Sequence, residues 1–256
     1  MAWLQDGVPW GTTREARELD QRALAELGLP GLVLMETAGG QAAEALWRAW
    51  EARSPASPRP PRLACLCGGG NNGGDGFVVA RRLVERAYVV CIVATDADDS
   101  PADARVMRRA AAACGIRMLD VRDTDQQPAC MAWLREADIV VDAVLGTGSR
   151  RPVAGGARRL LEALEASAAH GVRPGLGTEG CLVAALDLPS GGCGDTGQRD
   201  SLTPRCHLTI TFGLAKVGLG LAPLVDLAGR LEVADLGLPL AFRTGVAPKT
   251  GRKDLP

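Results

Sequence analysis

The sequence predicts a Rossmann-like α/β fold, with three α/β/α layers and a mostly parallel central sheet. Short apolar runs without alternation recur along the chain, as is typical of strands buried on both faces. Helical stretches separate these runs, and such alternation indicates a parallel sheet covered by helices. For 256 residues we expect one domain over 1–256, with its core over about 12–240 and a loose polar tail over 241–256.

The elements follow in chain order from local signals. Thr12 and Glu15 form a capping-box pattern that opens a helix to about Leu27. A second helix spans roughly 33–52, and the proline-rich segment 54–61 cannot continue it. Strands are predicted at 63–67, 88–94, 116–119, 138–145, 181–187, 207–212 and 230–234. Further helices are predicted at 76–86, 101–114, 129–137 and 153–169.

Composition argues against several functional classes. The 29 basic and 30 acidic residues nearly cancel, so neither nucleic acid nor an anionic membrane is expected as the main partner. No signal peptide is visible, and no apolar run reaches the roughly 18 residues that span a bilayer. The eight cysteines include no Cys-x-x-Cys pair, which favours reduced thiols and a cytoplasmic location. With only His170 and His207, neither a zinc site nor a histidine-based triad is expected.

The loop after the first predicted strand is rich in glycine and admits two functional interpretations. Gly68, Gly70 and Gly73 match the spacing of a dinucleotide fingerprint, and Asp96 follows the next strand where a ribose-binding acid belongs. A Rossmann NAD(P)-dependent oxidoreductase is therefore one alternative. Asp75 counts against it, because a carboxylate in the first turn of the following helix would repel a phosphate. The plain structural alternative is a turn capped by Asp75.

Other polar residues lie near the carboxyl ends of strands, where ligands bind in open parallel sheets. Asp142 is either hydrogen-bonded structure or a cation ligand, and 146–152 is either a phosphate-binding loop or a plain turn. Asp187 lies at a strand end where a catalytic acid is expected. Ser190 has no evident base that would make it a nucleophile. Lys216 is either solvated or functional.

Five motifs occur together in order, and with them the chain resembles the YjeF N-terminal domain family, whose enzymatic members are NAD(P)H-hydrate epimerases. The resemblance covers roughly 12–240, and its most specific motif is the Asn-Asn-Gly-Gly-Asp-Gly loop. The family usually has proline at the position of Gly69 and asparagine or arginine at that of Thr37. The motifs occupy Leu34–Gly39, Gly68–Gly76, Val141–Gly148, Asp187–Gly191 and Thr209–Lys216.

The resemblance implies the substrate, the ion and the partners. The substrate is hydrated NADH or NADPH, and the reaction interconverts its R and S epimers. One potassium ion per subunit is expected, held by Asn72, Asp142 and Ser190, whose oxygen ligands suit a hard cation. A homodimer and a functional partnership with a separate dehydratase are also expected. Substrate contacts are implied for Asn71, Asn72, Gly73, Gly74, Asp75, Gly146, Thr147, Gly148, Ser149, Arg150, Arg151, Pro152 and Asp187.

Two residues are candidates for the chemistry. We hypothesise that Asp187 donates a proton to the leaving hydroxyl of the hydrated ring and then acts as base. Lys216 is assigned to orienting the water or a phosphate. A noncatalytic binding or scaffold module is the main alternative to the enzyme. Such a scaffold would not need Asp187 or the cation ligands.

Overall fold

The computed structural model describes residues 3–5, 7–54, 57–148, 152–168 and 180–244. Its centre is a seven-stranded sheet in which every neighbouring pair is parallel, so the predicted fold class is confirmed. Each predicted strand is present within two residues of its expected ends. In chain order these strands are β3 Arg62–Cys67, β4 Tyr88–Val93, β5 Arg117–Asp120, β6 Ile139–Ala143, β7 Leu182–Leu186, β8 Leu208–Phe212 and β10 Arg230–Ala234.

A small second sheet was missing from the sequence-based prediction. It is formed by β1 Trp3–Gln5, β2 Val8–Gly11 and β9 Ala215–Lys216. The strands β1 and β2 make an antiparallel hairpin, and β2 pairs in parallel with β9. These strands have two to four residues, too few to show a periodic pattern. The small sheet joins the N-terminal part of the chain to the segment that carries Lys216.

The helices cover both faces of the central sheet, with 3₁₀ turns at Ala97–Asp99 and Val217–Gly220. One apolar core lies between the sheet and the helices at 31–53, 71–83 and 102–113, and the other lies between the sheet and the helices at 127–136 and 155–168. Successive β3 residues alternate between these cores, which is why the whole strand is apolar. The helices are α1 Thr13–Leu27, α2 Gly31–Arg53, α3 Asn71–Leu83, α4 Ala102–Ala113, α5 Gln127–Glu136, α6 Gly155–Ala168, α7 Val225–Ala228 and α8 Leu240–Thr244.

The N-terminus of α1 is held by side chains. Thr12 caps the helix and Glu15 bonds back to the Thr12 N–H, which confirms the predicted capping box. The backbone N–H and hydroxyl of Thr13 donate to the carboxylate of Asp195 at 2.7 and 2.6 Å. Because Asp195 lies in the segment between β7 and β8, this contact fixes α1 beside the carboxyl ends of the strands.

Two sequence-based predictions differ from the structure. Helix α3 begins at Asn71, five residues before the predicted start at 76. Asparagine and glycine have low helix propensity, and here the packing of the loop overrides it.

The tail was expected to be loose from 241, but α8 extends to Thr244, which is buried, and Phe242 packs against an apolar cluster. Residues after 244 lie outside the described residues, as does His170.

Within the part of the chain that the structure describes, no helix is both long and apolar enough to cross a membrane. Six of the eight cysteines are buried. Buried cysteines outside disulfides pack as small apolar side chains.

Candidate active site

A cleft of about 430 Å³ opens at the carboxyl edge of the central sheet. Its walls come from the loops that follow β3, β6 and β7, from the end of β8 and from the exposed face of α1. Ligands of open parallel sheets bind at this edge, because the strands end there and the loops that leave them are free to differ. Several predicted site residues line the cleft: Asn71, Asn72, Asp75, Gly146, Thr147, Gly148, Asp187 and Lys216.

Glycines bring the first two loops close together. A Cβ on Gly68 would lie 2.0 Å from the carbonyl oxygen of Val144, and one on Gly73 would lie 1.9 Å from that of Gly68. A Cβ on Gly146 would lie 2.8 Å from Oδ2 of Asp187 and 3.4 Å from the side chain of Asn72. The absence of side chains therefore allows Asn72 and Asp187 to approach the same point of the cleft.

Asp187 and Lys216 form a buried ion pair at the base of the cleft. The ammonium Nζ of Lys216 lies 2.7 Å from Oδ1 of Asp187. It also donates to the Thr211 hydroxyl and to the Phe212 carbonyl, each at 3.0 Å. Lys216 is only 2 % exposed, so the solvated alternative for this residue is wrong. A lysine this buried requires a charged partner, and Asp187 is that partner.

The backbone of Asp187 is unusual. Its φ is +67°, the only positive φ of a residue other than glycine in the described ranges. Such a conformation is found most often for glycine, asparagine and aspartate, and here the surrounding contacts hold it. The second carboxylate oxygen, Oδ2, accepts the Thr147 backbone N–H at 2.9 Å. The side chain is thus held from both sides, by Lys216 and by the loop after β6.

Asp142 and Ser190 lie side by side beneath the loops, and neither is exposed. The Ser190 hydroxyl donates to Oδ1 of Asp142 at 2.5 Å, and the Ser190 N–H donates to Oδ2 at 2.8 Å. Leu145 N–H donates to the Ser190 oxygen at 2.8 Å. Burial raises the pKa of Asp142 to about 6, although the hydrogen bonds from Ser190 lower it.

Asn72 is the unsatisfied polar side chain of this region. It is buried in the first turn of α3, and neither its Oδ1 nor its Nδ2 has a hydrogen-bond partner among the described residues. Buried amides normally find partners, and one that lacks them indicates a bound water, ion or ligand. Asn72 also lines the cleft, so such a group has access to it.

Two further carboxyl groups line the cleft. Asp75 is buried in α3, and burial together with the negative charges of Asp187 and Asp20 raises its pKa well above the usual range, which Lys216 partly offsets. Asp20 lies on α1 and is exposed at the cleft. The surrounding protein raises the pKa of Asp20 to about 6; Lys216 lowers this pKa and Asp187 raises it. Because α3 starts early, Asp75 lies in the second turn and does not cap the helix.

Some predicted contact residues lie elsewhere. Gly73 and Gly74 do not line the cleft; they let α3 pack closely, Gly74 against Met35 and Ala104. Pro152 is exposed and also lies outside the lining. Ser149, Arg150 and Arg151 lie outside the described residues, so their predicted contacts stay predictions.

Sequence reasoning missed the contribution of α1, which brings Asp20 and Arg17 to the cleft. Their only local signal was an ordinary charged helix surface. Their position at the cleft depends on the contact of Thr13 in α1 with Asp195, 182 residues further along the chain.

The structure counts against the oxidoreductase alternative, because its predicted ribose-binding acid, Asp96, lies away from the cleft. Asp96 forms an ion pair with Arg122 at 2.8 Å, and it does not line the cleft. The class that fold and site define is a Rossmann-like α/β protein whose ligand cleft carries an acidic cluster, one buried lysine and an unsatisfied asparagine.

Comparison with known proteins places the chain within this class. The family model described as YjeF-related protein N-terminus matches residues 31–218, and the chain belongs to this family. An NAD(P)H-hydrate epimerase of Rhodopirellula baltica is 35 % identical over 234 residues, which cover 91 % of this chain and 86 % of the relative. One from Pirellula staleyi is 33 % identical over 230 residues, covering 90 % and 92 %.

Longer relatives also match. The bifunctional NAD(P)H-hydrate repair enzyme Nnr of Thermanaerovibrio acidaminovorans is 38 % identical over 226 residues, which cover 88 % of this chain but 40 % of the relative. The crystal structure of the yeast protein ynu0 has the same fold, with a TM-score of 0.68 at 19 % identity. That match covers 82 % of this chain and 83 % of the yeast chain.

Proposed function

We propose that this protein is an isomerase that interconverts the R and S epimers of hydrated NADH and NADPH. The structural observation that supports this best is the buried Asp187–Lys216 pair at the base of a cleft of about 430 Å³. A charged pair held in place at a ligand cleft can stabilise charge that develops on a bound substrate. Two relatives that match over most of their own length carry the name NAD(P)H-hydrate epimerase.

The chemistry follows from the substrate. The hydrated ring carries a hydroxyl on the carbon beside the ring nitrogen. Loss of this hydroxyl as water leaves a planar iminium, and addition of water to its opposite face gives the other epimer. The enzyme must bind the ring, stabilise the positive charge of the iminium, donate one proton to the leaving hydroxyl and accept one from the added water. The Asp187 carboxylate supplies negative charge close to the ring, and Lys216 and the Thr147 N–H hold that carboxylate in place.

The test follows one pure epimer of hydrated NADH by chromatography. The wild-type protein is expected to bring the two epimers to equilibrium well above the spontaneous rate, and Asp187→Asn to reduce kcat at least 100-fold. Asparagine suits the positive φ of this position, so the variant tests chemistry rather than backbone strain. Absence of wild-type activity would favour the scaffold alternative, and hydride transfer with ordinary NAD(P)+ would favour an oxidoreductase.

We further propose that the site holds one potassium ion, with Asn72, Asp142 and Ser190 as ligands. The donor set suits a hard monovalent cation, since it combines an amide, a carboxylate and a hydroxyl oxygen. The unsatisfied amide of Asn72 supports the assignment, because a cation would use its free Oδ1. A bound potassium ion would supply fixed positive charge that orders the loops around the substrate.

Potassium is expected to stabilise the protein selectively. Thermal unfolding in KCl should occur at a higher Tm than in LiCl or choline chloride of the same ionic strength. Saturation at 100 times the Kd corresponds to about 2.7 kcal/mol. Asp142→Ala should remove the potassium-specific difference, whereas Asp96→Ala, which changes a carboxylate outside the cleft, should retain it. Equal Tm values in all three salts would contradict the ion assignment.

The remaining proposals concern the cellular setting. We propose a homodimer, a cytoplasmic location and cooperation with a separate dehydratase that consumes one epimer. Exposed apolar side chains at the end of α1 and the start of α2 support association of two copies: Leu24, Leu27 and Val33. Sedimentation equilibrium of the wild type and of Leu24→Glu tests the dimer.

A further inference from the structure

The proposed reaction needs a proton donor, because hydroxide is a poor leaving group and must depart as water. The Asp187–Lys216 pair is poorly arranged to donate. Both oxygens of Asp187 act as hydrogen-bond acceptors, one from Lys216 and one from the Thr147 N–H, so neither is placed to donate a proton. An ammonium has three N–H donors, and those of Lys216 are taken by Asp187, Thr211 and Phe212.

Asp75 has the opposite surroundings. It is 8 % exposed and lines the same cleft. In the described part of the chain the carboxyl group of Asp75 makes no hydrogen bond and no ion pair. Lys216 is the positive charge that acts on Asp75, but its three N–H donors are taken by other groups. A buried carboxyl group without a counterion is stable only in its neutral form, which carries one O–H donor.

The charged groups around Asp75 also favour its neutral form. Asp187 at the end of β7 and Asp20 on α1 are both acidic, and they oppose a further negative charge. Burial and these two carboxylates raise the pKa of Asp75 well above its ordinary value, and the positive charge of Lys216 offsets only part of the rise. A carboxyl group whose surroundings favour its neutral form can serve as a proton donor at neutral pH.

We propose that Asp75 is the catalytic acid of the epimerisation and that Asp187 remains a carboxylate throughout. This assignment rests on the proposed function, and it moves the donor step from Asp187, where the sequence-based hypothesis had placed it. The C–O bond of the hydrated ring breaks, its electron pair stays on oxygen, and the Asp75 proton joins that oxygen to form water. The nitrogen lone pair forms the C=N bond of the iminium, whose charge faces the Asp187 carboxylate.

The second half restores the starting state. Water adds to the opposite face of the iminium, the C=N pair returns to nitrogen, and one proton of the water passes to the Asp75 carboxylate. No proton, electron or water molecule is consumed over the cycle. Neutral Asp75 is regenerated, and Asp187 has supplied charge without exchanging a proton.

The decisive experiment compares single Asp→Asn variants in the chromatographic assay with one pure epimer. Asp75→Asn, which conserves shape but has no acidic proton, is expected to lower kcat by about 10² to 10⁴ with KM changed less than threefold. Asp96→Asn is the matched control, because Asp96 lies outside the cleft, and it should retain the wild-type rate. Asp20→Asn tests the other acidic group, and its effect is expected to stay below tenfold.

Two further readouts separate acid catalysis from a structural role. The wild-type kcat should fall at high pH as Asp75 loses its proton, and this decline should be absent in Asp75→Asn. Small carboxylic acids should partly rescue Asp75→Ala, with the rate increasing in proportion to added formic acid, whereas formic acid leaves the wild type unchanged. A folding defect would produce neither result.

The outcomes are distinguishable from failure of the proposed function. If the wild type does not epimerise the substrate, the proposed function fails. If the wild type is active and Asp75→Asn stays within threefold of it, the assignment of Asp75 is overturned. Loss of activity in Asp20→Asn with full activity in Asp75→Asn would identify Asp20 on α1 as the acid, and would also overturn the assignment of Asp75.

Discussion

Lys216→Met should lower the free energy of unfolding by about 3 kcal/mol and abolish detectable epimerisation. Methionine fills a similar volume, so the main loss is the positive charge. Asp187 would then be a buried carboxylate with no counterion, and the Thr211 hydroxyl and Phe212 carbonyl would lose a donor. Removal of one partner of a buried ion pair costs more than removal of both, because the remaining charge stays desolvated.

Urea unfolding of a double-mutant cycle measures this effect. The double variant Lys216→Met/Asp187→Asn should be more stable than Lys216→Met alone, with a coupling energy of about 1 kcal/mol or more. Additive effects of the two substitutions at pH 8 would mean that the two side chains have no coupling energy and would contradict this prediction.

Gly73→Ala is the second substitution with a large expected effect. The new Cβ would lie 1.9 Å from the carbonyl oxygen of Gly68, so two backbone segments would have to separate. We expect destabilisation by about 3 kcal/mol and no measurable epimerisation, because the same movement displaces Asn72 and Asp75.

Gly70→Ala is the matched control in the same loop. A Cβ on Gly70 meets nothing within 4 Å, and its φ of −98° suits any residue. Its free energy of unfolding should change by less than about 1 kcal/mol. Urea unfolding and the epimer assay on both variants check the pair. Equal behaviour of the two variants would show that the close approach at Gly73 has no role.

Much of the architecture was predictable because its signals are local. Strands buried on both faces are apolar throughout, and the helices between them have apolar residues at helical spacing. Short stretches of sequence are therefore enough to predict the parallel sheet. The family resemblance implied Asn72, Asp142 and Ser190, and Asp187 was also indicated by its position at a strand end, where ligands bind in such sheets. The boundary of α3 was wrong because propensity ignores the close packing that glycines allow.

The sequence by itself determined the fold class, the loops that form the cleft and the family. Only the tertiary structure decided the surroundings of each ionisable group in the site. Lys216 is buried because β9 pairs with β2 and because Asp187 lies 2.7 Å from its ammonium, and Asp20 reaches the cleft because Asp195 holds α1. Protonation depends on burial and on the distance to other charges, which the chain sets through contacts between residues far apart in sequence.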